Sequence, residues 1–232
     1  MKTGVVIQAR MSSRRLPGKV LMPMAGRPML EHLIERLKHL IAPAEILVAT
    51  SVEEFDQPIV ALCDVNCVAC IRGDLKNVAS RFRDVFGTFD FDAIVRVSGD
   101  SPLLDQRIVD DALDSLGSSD ADMVTNVHPR TFPSGQSVEA FRAAAFERAY
   151  AMMSEPGDFE HVTPVFYRET DRFNIMNRTI DGESLNHVRL SVDTQEQFDL
   201  AEAIIESMER EPWTYGVTEI VNLYHSVKDK GH

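Results

Sequence analysis

The order of apolar segments along the chain limits its fold more than any other sequence feature. Short runs of β-branched and apolar residues, each the length of a buried strand, alternate with longer segments of helical periodicity. Strands are predicted at residues 5–7, 46–49, 65–71, 93–97 and 123–125. This alternation predicts an α/β protein whose mostly parallel, doubly wound sheet is covered by helices on both faces.

The remaining segments complete this prediction. Apolar residues at helical spacing predict helices over residues 29–40, 105–116 and 142–153, and another after Thr194. A capping box formed by Ser51 and Glu54 predicts a further helix start. Residues 130–141 indicate an inserted loop or hairpin, and residues 173–177 and 187–190 are strand candidates. Because 232 residues are little more than one large core needs, we expect one domain over residues 1–232 with a modest insertion.

Composition limits the partners and the compartment. The formal net charge of −12 argues against general nucleic-acid binding, which depends on basic surface. No apolar run approaches the length of a membrane span, and the apolar stretch at the N-terminus is too short for a signal peptide. Three cysteines are too few for a disulfide framework. We therefore expect a cytoplasmic protein with neither a nucleic acid nor a membrane as partner.

Basic residues are concentrated in a loop after the first predicted strand. The first acidic residue of the chain is Glu31, whereas residues 8–19 contain four cations, two serines and a Pro17-Gly18 turn. The cations are Arg10, Arg14, Arg15 and Lys19. Arginine forks, a lysine charge and the amides of a bent loop are the parts of a triphosphate site, although this loop is not a Walker P-loop. The alternative is a solvated basic terminus.

Two aspartates follow predicted strands. Asp100 comes at the end of the strand over residues 93–97, and Asp193 follows a short apolar segment. Ligands of open parallel sheets bind beyond the carboxyl ends of the strands, so the two carboxylates could meet there and hold Mg²⁺. Each also has a simpler interpretation, because Asp100 could only form a turn and Asp193 could only cap a helix.

Cysteine spacing and a histidine offer further candidates. Cys63, Cys67 and Cys70 have the C-x3-C-x2-C spacing of radical-SAM clusters, but Cys63 falls on the inward face of a predicted helix. We therefore interpret the match as accidental. His161 could be a titrating site residue or could make a structural hydrogen bond.

Motifs distributed over nearly the whole chain resemble those of the cytidylyltransferases that activate acidic sugars. The chain is similar to the spore-coat polysaccharide type within the acylneuraminate and 3-deoxy-manno-octulosonate cytidylyltransferase superfamily. The shared motifs are QARM (8–11), RLPGK (15–19), GRPM (26–29), RG (72–73), RVSGDSPLLD (96–105), FPSG (132–135) with VE (138–139), EHVTP (160–164) and RLSVDT (189–194).

The resemblance implies a nucleotide-diphospho-sugar transferase-like fold, CTP as a substrate and Mg²⁺ as the cofactor. It implies that CTP is bound by Gln8, Ala9, Arg10, Ser13, Arg15, Lys19, Arg72, Gly73, Ser98 and Asp100. Of these, Arg10, Arg15, Lys19 and Asp100 would be catalytic, and Asp100 and Asp193 would hold the metal. A sugar-like or phosphorylated second substrate would face Ser134, Gly135, Glu139 and His161. The insertion at about 130–180 would bind that substrate and form the contacts of a homodimer.

Some positions depart from the pattern of the family. Arg14 replaces a small hydroxyl residue, Asn77 replaces an aspartate, and Gln136-Ser137 replaces an apolar-acidic pair. The identity of the acceptor is therefore left open. The predicted reaction is CMP transfer from CTP with release of pyrophosphate, in surface polysaccharide biosynthesis. The alternatives are a nucleotide-sugar-dependent glycosyltransferase and a non-catalytic nucleotide-binding protein of the same fold.

Overall fold

The computed structural model of the protein describes residues 1–231. Over that range the chain forms nine strands and nine α-helices. The strands are β1 (Thr3–Gln8), β2 (Pro23–Met24), β3 (Arg27–Pro28), β4 (Ala44–Ser51), β5 (Ala69–Gly73), β6 (Ala93–Ser98), β7 (Met123–Thr125), β8 (Glu139–Arg142) and β9 (Ile175–Asn177). The helices are α1 (Met29–Leu37), α2 (Gln57–Val65), α3 (Val78–Phe89), α4 (Gln106–Gly117), α5 (Ala143–Ala151), α6 (Pro156–His161), α7 (Pro164–Arg168), α8 (Gln195–Glu206) and α9 (Val217–Asp229).

The central sheet has the strand order β5-β4-β1-β6-β8-β7-β9. Strand β1 pairs in parallel with β4 and β6, β4 pairs in parallel with β5, and β7 pairs in parallel with β9. Strand β8 runs antiparallel to both of its neighbours, β6 and β7. Strands β2 and β3 form a separate small hairpin. The predicted mostly parallel α/β sheet is confirmed.

Helices cover both faces of this sheet. Helices α1, α2, α4, α8 and α9 pack their apolar side chains into a core on one face. Helices α3, α5 and α7 enclose an aromatic core on the other face, where Phe82, Phe141, Phe146 and Phe166 are fully buried. Strand β1 is buried by both layers, which explains its uninterrupted apolar run. In residues 1–231, no helix is both long and apolar enough to cross a membrane.

The predicted first residues of helix α2 and strand β5 were wrong. Ser51 ends β4 and its hydroxyl group binds Asp56, so it does not cap a helix, and α2 begins only at Gln57. Val65 is the last residue of α2 and is exposed, so the next strand begins at Ala69. An apolar run of this length does not distinguish the end of a helix from a strand.

The region between residues 130 and 190 also differs from its prediction. Residues 139–142 form strand β8 within the main sheet, not a separate hairpin. The segment over residues 187–190 lies outside the named strands and makes one isolated bridge, between Ser134 and Arg189. A single domain and a dimer-forming insertion at about 130–180 stay predictions.

Replacing Asp158 by asparagine should destabilise the segment that joins α6 to α7. Both Asp158 oxygens accept hydrogen bonds from Arg168, at 2.8 and 2.9 Å, and Oδ2 also accepts from the amides of Ser154 and Glu155. The hydrogen bond from Arg168 is the main cause that lowers the Asp158 pKa from 3.8 to about 2. We expect the variant to lose about 2 kcal/mol of unfolding free energy at pH 7, measured by urea denaturation.

The same carboxylate predicts a pH dependence. Because the pKa is lowered in the folded protein, its stabilising effect is present above pH 3.8 and is lost as the pH falls towards about 2. The difference in stability between wild type and Asp158→Asn should therefore shrink between pH 5 and pH 2. A difference that stays constant over this range would contradict the assignment.

Candidate functional site

A polar cavity of about 440 Å³ lies at the edge of the sheet where β1 and β6 end. Carboxyl ends of parallel strands share one edge, and this is where ligands of such sheets bind. The cavity is lined by Gln8, Ala9, Arg10, Ser13, Arg14, Arg15, Lys19, Val20, Ser98, Asp100, Glu160 and Asp193. The structure thus brings the predicted phosphate loop and both predicted metal ligands into one cavity.

The basic loop is folded by hydrogen bonds to a single carbonyl group. The Met11 carbonyl accepts from the amides of Ser13, at 2.9 Å, and Gly18, at 2.8 Å, which closes the loop. Gly18 has a φ of 76°, a left-handed conformation that favours glycine. The Met11 amide donates to Asp56 Oδ1 at 2.7 Å, which fixes the start of the loop. With the loop folded in this way, Arg10, Arg14 and Arg15 all line the cavity.

Lys19 lies between the two aspartates. Its side chain is almost fully buried, and its Nζ is 3.0 Å from Asp100 Oδ2 and 3.1 Å from Asp193 Oδ1. The same ammonium donates to the Val192 carbonyl. One ammonium group therefore bridges two carboxylates that are far apart in the sequence.

The segments that carry the two carboxylates are joined to each other. The Val192 amide donates to the Asp100 carbonyl at 2.9 Å. Asp193 also pairs with Arg15 Nη2 at 2.8 Å. Burial raises the Asp193 pKa, but the hydrogen bonds and charges of Lys19 and Arg15 outweigh burial and hold this pKa below 3.8. Asp193 is therefore ionised at neutral pH.

The loop that carries Asp100 is fixed from below by buried side chains. Gln136 donates to the Leu103 carbonyl at 2.7 Å, and Arg36 donates to the Leu104 carbonyl at 2.7 Å. Both side chains are almost completely buried. The position of the Asp100 carboxylate is thus set by the core and not by solvent.

The two carboxylates fit a magnesium site of the kind that is completed by a substrate. Mg²⁺ prefers one or two carboxylates with water and substrate phosphates over an all-protein set of ligands. Asp100 and Asp193 direct one oxygen each towards the same cation, Lys19 Nζ. Within the part of the chain that the structure describes, no three His, Cys, Asp or Glu side chains form a metal-binding group. The donor set therefore suits a metal that arrives with phosphate oxygens.

Glu160 is a cavity residue that the sequence did not single out. It pairs with Arg10 at 3.1 Å, and this hydrogen bond is the main cause that lowers the Glu160 pKa. A second cavity of about 340 Å³ shares Arg10, Arg14 and Glu160 and extends to Lys76. The EHVTP motif contained the signal, but helix α6 turns Glu160 to the cavity and leaves His161 exposed.

Comparison with known sequences assigns the family. The sequence profile described as cytidylyltransferase matches residues 4–219 of this chain. The chain belongs to the cytidylyltransferase family. This confirms the resemblance found in the sequence.

Individual relatives of this cytidylyltransferase are similar over most of its length. An uncharacterized protein of Methanocaldococcus jannaschii is 31% identical, and the match covers 100% of this chain and 98% of the relative. The spore coat polysaccharide biosynthesis protein SpsF of Bacillus subtilis is 26% identical over 97% of this chain and 94% of SpsF. A 3-deoxy-manno-octulosonate cytidylyltransferase of Yersinia pseudotuberculosis is 32% identical over 79% of this chain and 71% of the relative.

Solved structures of cytidylyltransferases share the fold. A cytidylyltransferase of Leptospira borgpetersenii superposes with a TM-score of 0.91 at 29% identity, over 99% of this chain and 95% of that one. A CMP:2-keto-3-deoxy-manno-octonic acid synthetase complexed with CTP superposes with a TM-score of 0.67 at 20% identity, over 89% and 99% of the two chains. The second similarity supports the fold alone.

The structure leaves Arg72 and Gly73 of this cytidylyltransferase outside the lining of the larger cavity. The Arg72 guanidinium donates to the carbonyls of Ser51 and Glu53 and to Gln57 Oε1, so it holds the end of β4. Gly73 packs against the side-chain stem of Arg81. A nucleotide-binding role of these two residues stays a prediction.

The residues predicted to face the second substrate do not form one cluster around this cavity. Ser134 donates a hydrogen bond to, or accepts one from, the Ser191 hydroxyl group at 2.7 Å. Glu139 is only 4% exposed and binds Arg96 and Tyr167, whereas His161 is exposed. Gln136, a position that departs from the family pattern, is fully buried and holds the Asp100 loop.

Replacing Gly135 by alanine should disrupt the segment that precedes Asp193. Gly135 has a φ of 94°, and an added Cβ would lie 2.6 Å from the Ser191 amide nitrogen and 2.7 Å from the Leu190 carbonyl carbon. Strain and backbone overlap together should lower the unfolding free energy by about 3 kcal/mol, measured by denaturant titration. Gly182 also has a positive φ, of 86°, but an added Cβ there meets no atom within 4 Å. Gly182→Ala is therefore the matched control, and an equal loss in both variants would contradict the close contact.

Proposed function

We propose that the protein transfers CMP from CTP to a sugar-acid-like or phosphorylated acceptor and releases pyrophosphate, in surface polysaccharide biosynthesis. The observation that carries the proposal is the convergence of Asp100 and Asp193 on one cation beside a loop of arginines. Such a cavity has carboxylates for a divalent cation and cations for a triphosphate. The similarity to a spore coat polysaccharide biosynthesis protein of Bacillus and to a cytidylyltransferase of Yersinia supports the choice of pathway and nucleotide.

The catalytic contribution of this chain is mainly electrostatic. Arg10, Arg15 and Lys19 bind the phosphate oxygens and stabilise the negative charge that grows on them as an acceptor oxygen attacks the α-phosphorus. Asp100 and Asp193 would hold Mg²⁺, which when bound supplies further positive charge to the phosphates. The loop closed on the Met11 carbonyl keeps the cations in place before the substrate arrives. Gln8, Ala9, Ser13 and Ser98 line the same cavity and bind the nucleotide.

Rearrangement of Lys19 follows from this assignment. In the structure its ammonium occupies the space between the two carboxylates. Asp100 and Asp193 would hold a divalent cation in place of this contact, and the Lys19 charge would then be available to the triphosphate. Lys19 thus holds the carboxylates together before substrate binding and binds phosphate afterwards.

Pyrophosphate release tests the proposal. The purified protein is incubated with Mg²⁺ and each of the four nucleoside triphosphates, against 2-keto sugar acids, sugar phosphates and phosphorylated polyols. We expect release with CTP and one class of acceptor, and none without an acceptor. Binding of nucleotide sugars without CTP turnover would favour a glycosyltransferase, and CTP binding without release by any acceptor would favour a nucleotide-binding protein.

We also propose that the protein is a cytoplasmic homodimer with no nucleic acid or membrane partner. The dimer is proposed to form through the region at about 130–180, which includes Ser134, Gly135, Glu139 and His161. Light scattering after size-exclusion chromatography measures the dimer directly. A monomer at assay concentration would contradict it.

A further inference from the structure

A row of polar side chains crosses the sheet just below the cavity. Gln8 of β1, Arg96 of β6, Glu139 of β8 and Thr125 of β7 belong to neighbouring strands. Tyr167 of α7 contacts the last two. Gln8 Oε1 accepts from Arg96 Nε at 3.2 Å and from Arg96 Nη2 at 3.0 Å. Arg96 Nη1 donates to Glu139 Oε2, and Tyr167 Oη donates to Glu139 Oε1 at 2.6 Å.

The direction of each hydrogen bond in this row is fixed by its chemistry. Glu139 forms an ion pair with Arg96, and a carboxylate in such a pair only accepts hydrogen bonds, so the Tyr167 hydroxyl group must donate to it. Burial, followed by the charge of Glu139, raises the Tyr167 pKa far above 10.0, so the hydroxyl group keeps its proton. Thr125 must then donate to the Tyr167 oxygen, 2.9 Å away. None of these hydrogen bonds can therefore exchange its donor and its acceptor.

Arg96 fixes the orientation of the Gln8 amide. A guanidinium has only donors, so the Gln8 atom that faces it must be the oxygen. Two hydrogen bonds to that oxygen occupy both of its lone pairs. The amide nitrogen, with its two hydrogens, therefore lies on the opposite side, and Gln8 lines the cavity beside Arg10 and Ser98. Because Arg96 holds the oxygen, the part of the Gln8 amide that is left for a ligand is a neutral NH₂ donor, which cannot switch to an acceptor.

We propose that Gln8 is a locked hydrogen-bond donor to an acceptor atom of CTP, and that Glu139 is a positioning residue that acts on the nucleotide through Arg96. This inference rests on the proposed function, because it requires CTP in the cavity. Glu139 is nearly inaccessible and both of its oxygens are bound within the protein, so it does not contact the acceptor substrate. Its charge instead holds Arg96 in the position that orients Gln8.

Calorimetric titration of CTP in the presence of Mg²⁺ tests this inference without an acceptor substrate. Gln8→Met removes the donor at nearly constant volume, and we expect CTP to bind about 10-fold more weakly. Gln8→Glu still accepts both hydrogen bonds from Arg96 but turns an anionic oxygen towards the cavity, so its loss should be larger. Glu147→Gln is the matched control for a lost carboxylate, because Glu147 forms an exposed ion pair with Arg83.

A double-mutant cycle separates positioning from a purely structural role. Glu139→Gln should weaken CTP binding by about 5-fold in the wild-type background and by less than about 2-fold in the Gln8→Met background, because its effect passes through Gln8. Equal effects of Glu139→Gln in both backgrounds would overturn the proposal that Glu139 acts through Arg96 and Gln8. Tyr167→Phe, which removes one donor to Glu139, replaces Glu139→Gln in the cycle if that variant fails to fold.

The outcomes distinguish this inference from the proposed function. If the wild type binds CTP and both Gln8 variants bind it equally well, the locked donor is overturned and the proposed function stands. If the wild type does not bind CTP, the proposed function fails and this inference fails with it.

Discussion

Asp100→Asn should lower the rate of pyrophosphate release by about three orders of magnitude while the protein stays folded. Asparagine keeps the shape of the side chain but removes the negative charge that, with Asp193, would hold the metal. Loss of a metal that stabilises several negative oxygens costs several kcal/mol of transition-state stabilisation. Turnover is measured at saturating CTP and acceptor.

Two further measurements make this prediction specific. The unfolding midpoint of Asp100→Asn should stay close to that of the wild type, because the loop remains fixed by Arg36 and Gln136. Asp84→Asn changes an exposed carboxylate on α3 and should keep full turnover. Near-normal turnover of Asp100→Asn would refute the metal assignment.

Lys19→Gln should impair both catalysis and stability, and Mg²⁺ should affect the two differently. Without the ammonium, Asp100 and Asp193 face each other as like charges in a partly buried position. The unfolding free energy without metal should fall by about 3 kcal/mol, because the partly buried Asp100 loses its ammonium partner and only Asp193 keeps a cation, Arg15. We expect kcat/KM for CTP to fall by about 10²- to 10³-fold, the usual effect of removing one transition-state donor.

Added Mg²⁺ provides the diagnostic part of the Lys19 experiment. The metal should restore much of the stability of Lys19→Gln, because it can neutralise the same two carboxylates, but it should not restore turnover. Lys38→Gln removes a lysine from an exposed contact with Glu35 at 3.9 Å and serves as the control. If Mg²⁺ raises the melting temperature of Lys19→Gln no more than that of the wild type, the two carboxylates do not share a metal site.

Much of the candidate site could be predicted because it depends on strand ends. The apolar runs over residues 5–7 and 93–97 both predict buried strands. Parallel strands bring their carboxyl ends to one edge of the sheet. Gln8 and Ser98 are in register across β1 and β6 for this reason. The placement of Lys19 between the two aspartates did not follow from any local pattern, since it depends on how the basic loop folds over that edge.

The features of the site that the sequence did not predict depend on the direction in which individual side chains point. Pro133 and Gly135 made residues 130–141 resemble an inserted loop or hairpin, but residues 139–142 form β8 of the main sheet, where Glu139 pairs with Arg96. The EHVTP motif indicated functional residues, with His161 as the candidate, but not that Glu160 is the side chain that faces the cavity. Arg72 carries the charge expected of a ligand-binding residue, yet its donors are used by backbone carbonyls. Spacing in a sequence cannot decide between these partners.

The pairing of Lys19 with Asp193 also has a consequence for the folding of the protein during its synthesis on the ribosome. The two residues are 174 positions apart, and both belong to the same charge cluster. During translation the basic loop is synthesised first, Asp100 about halfway through, and Asp193 only in the last part. Contacts this distant in sequence form late. The charge cluster is therefore complete only when most of the chain has been synthesised, and a product truncated before Asp193 has the basic loop without one of its two carboxylate partners.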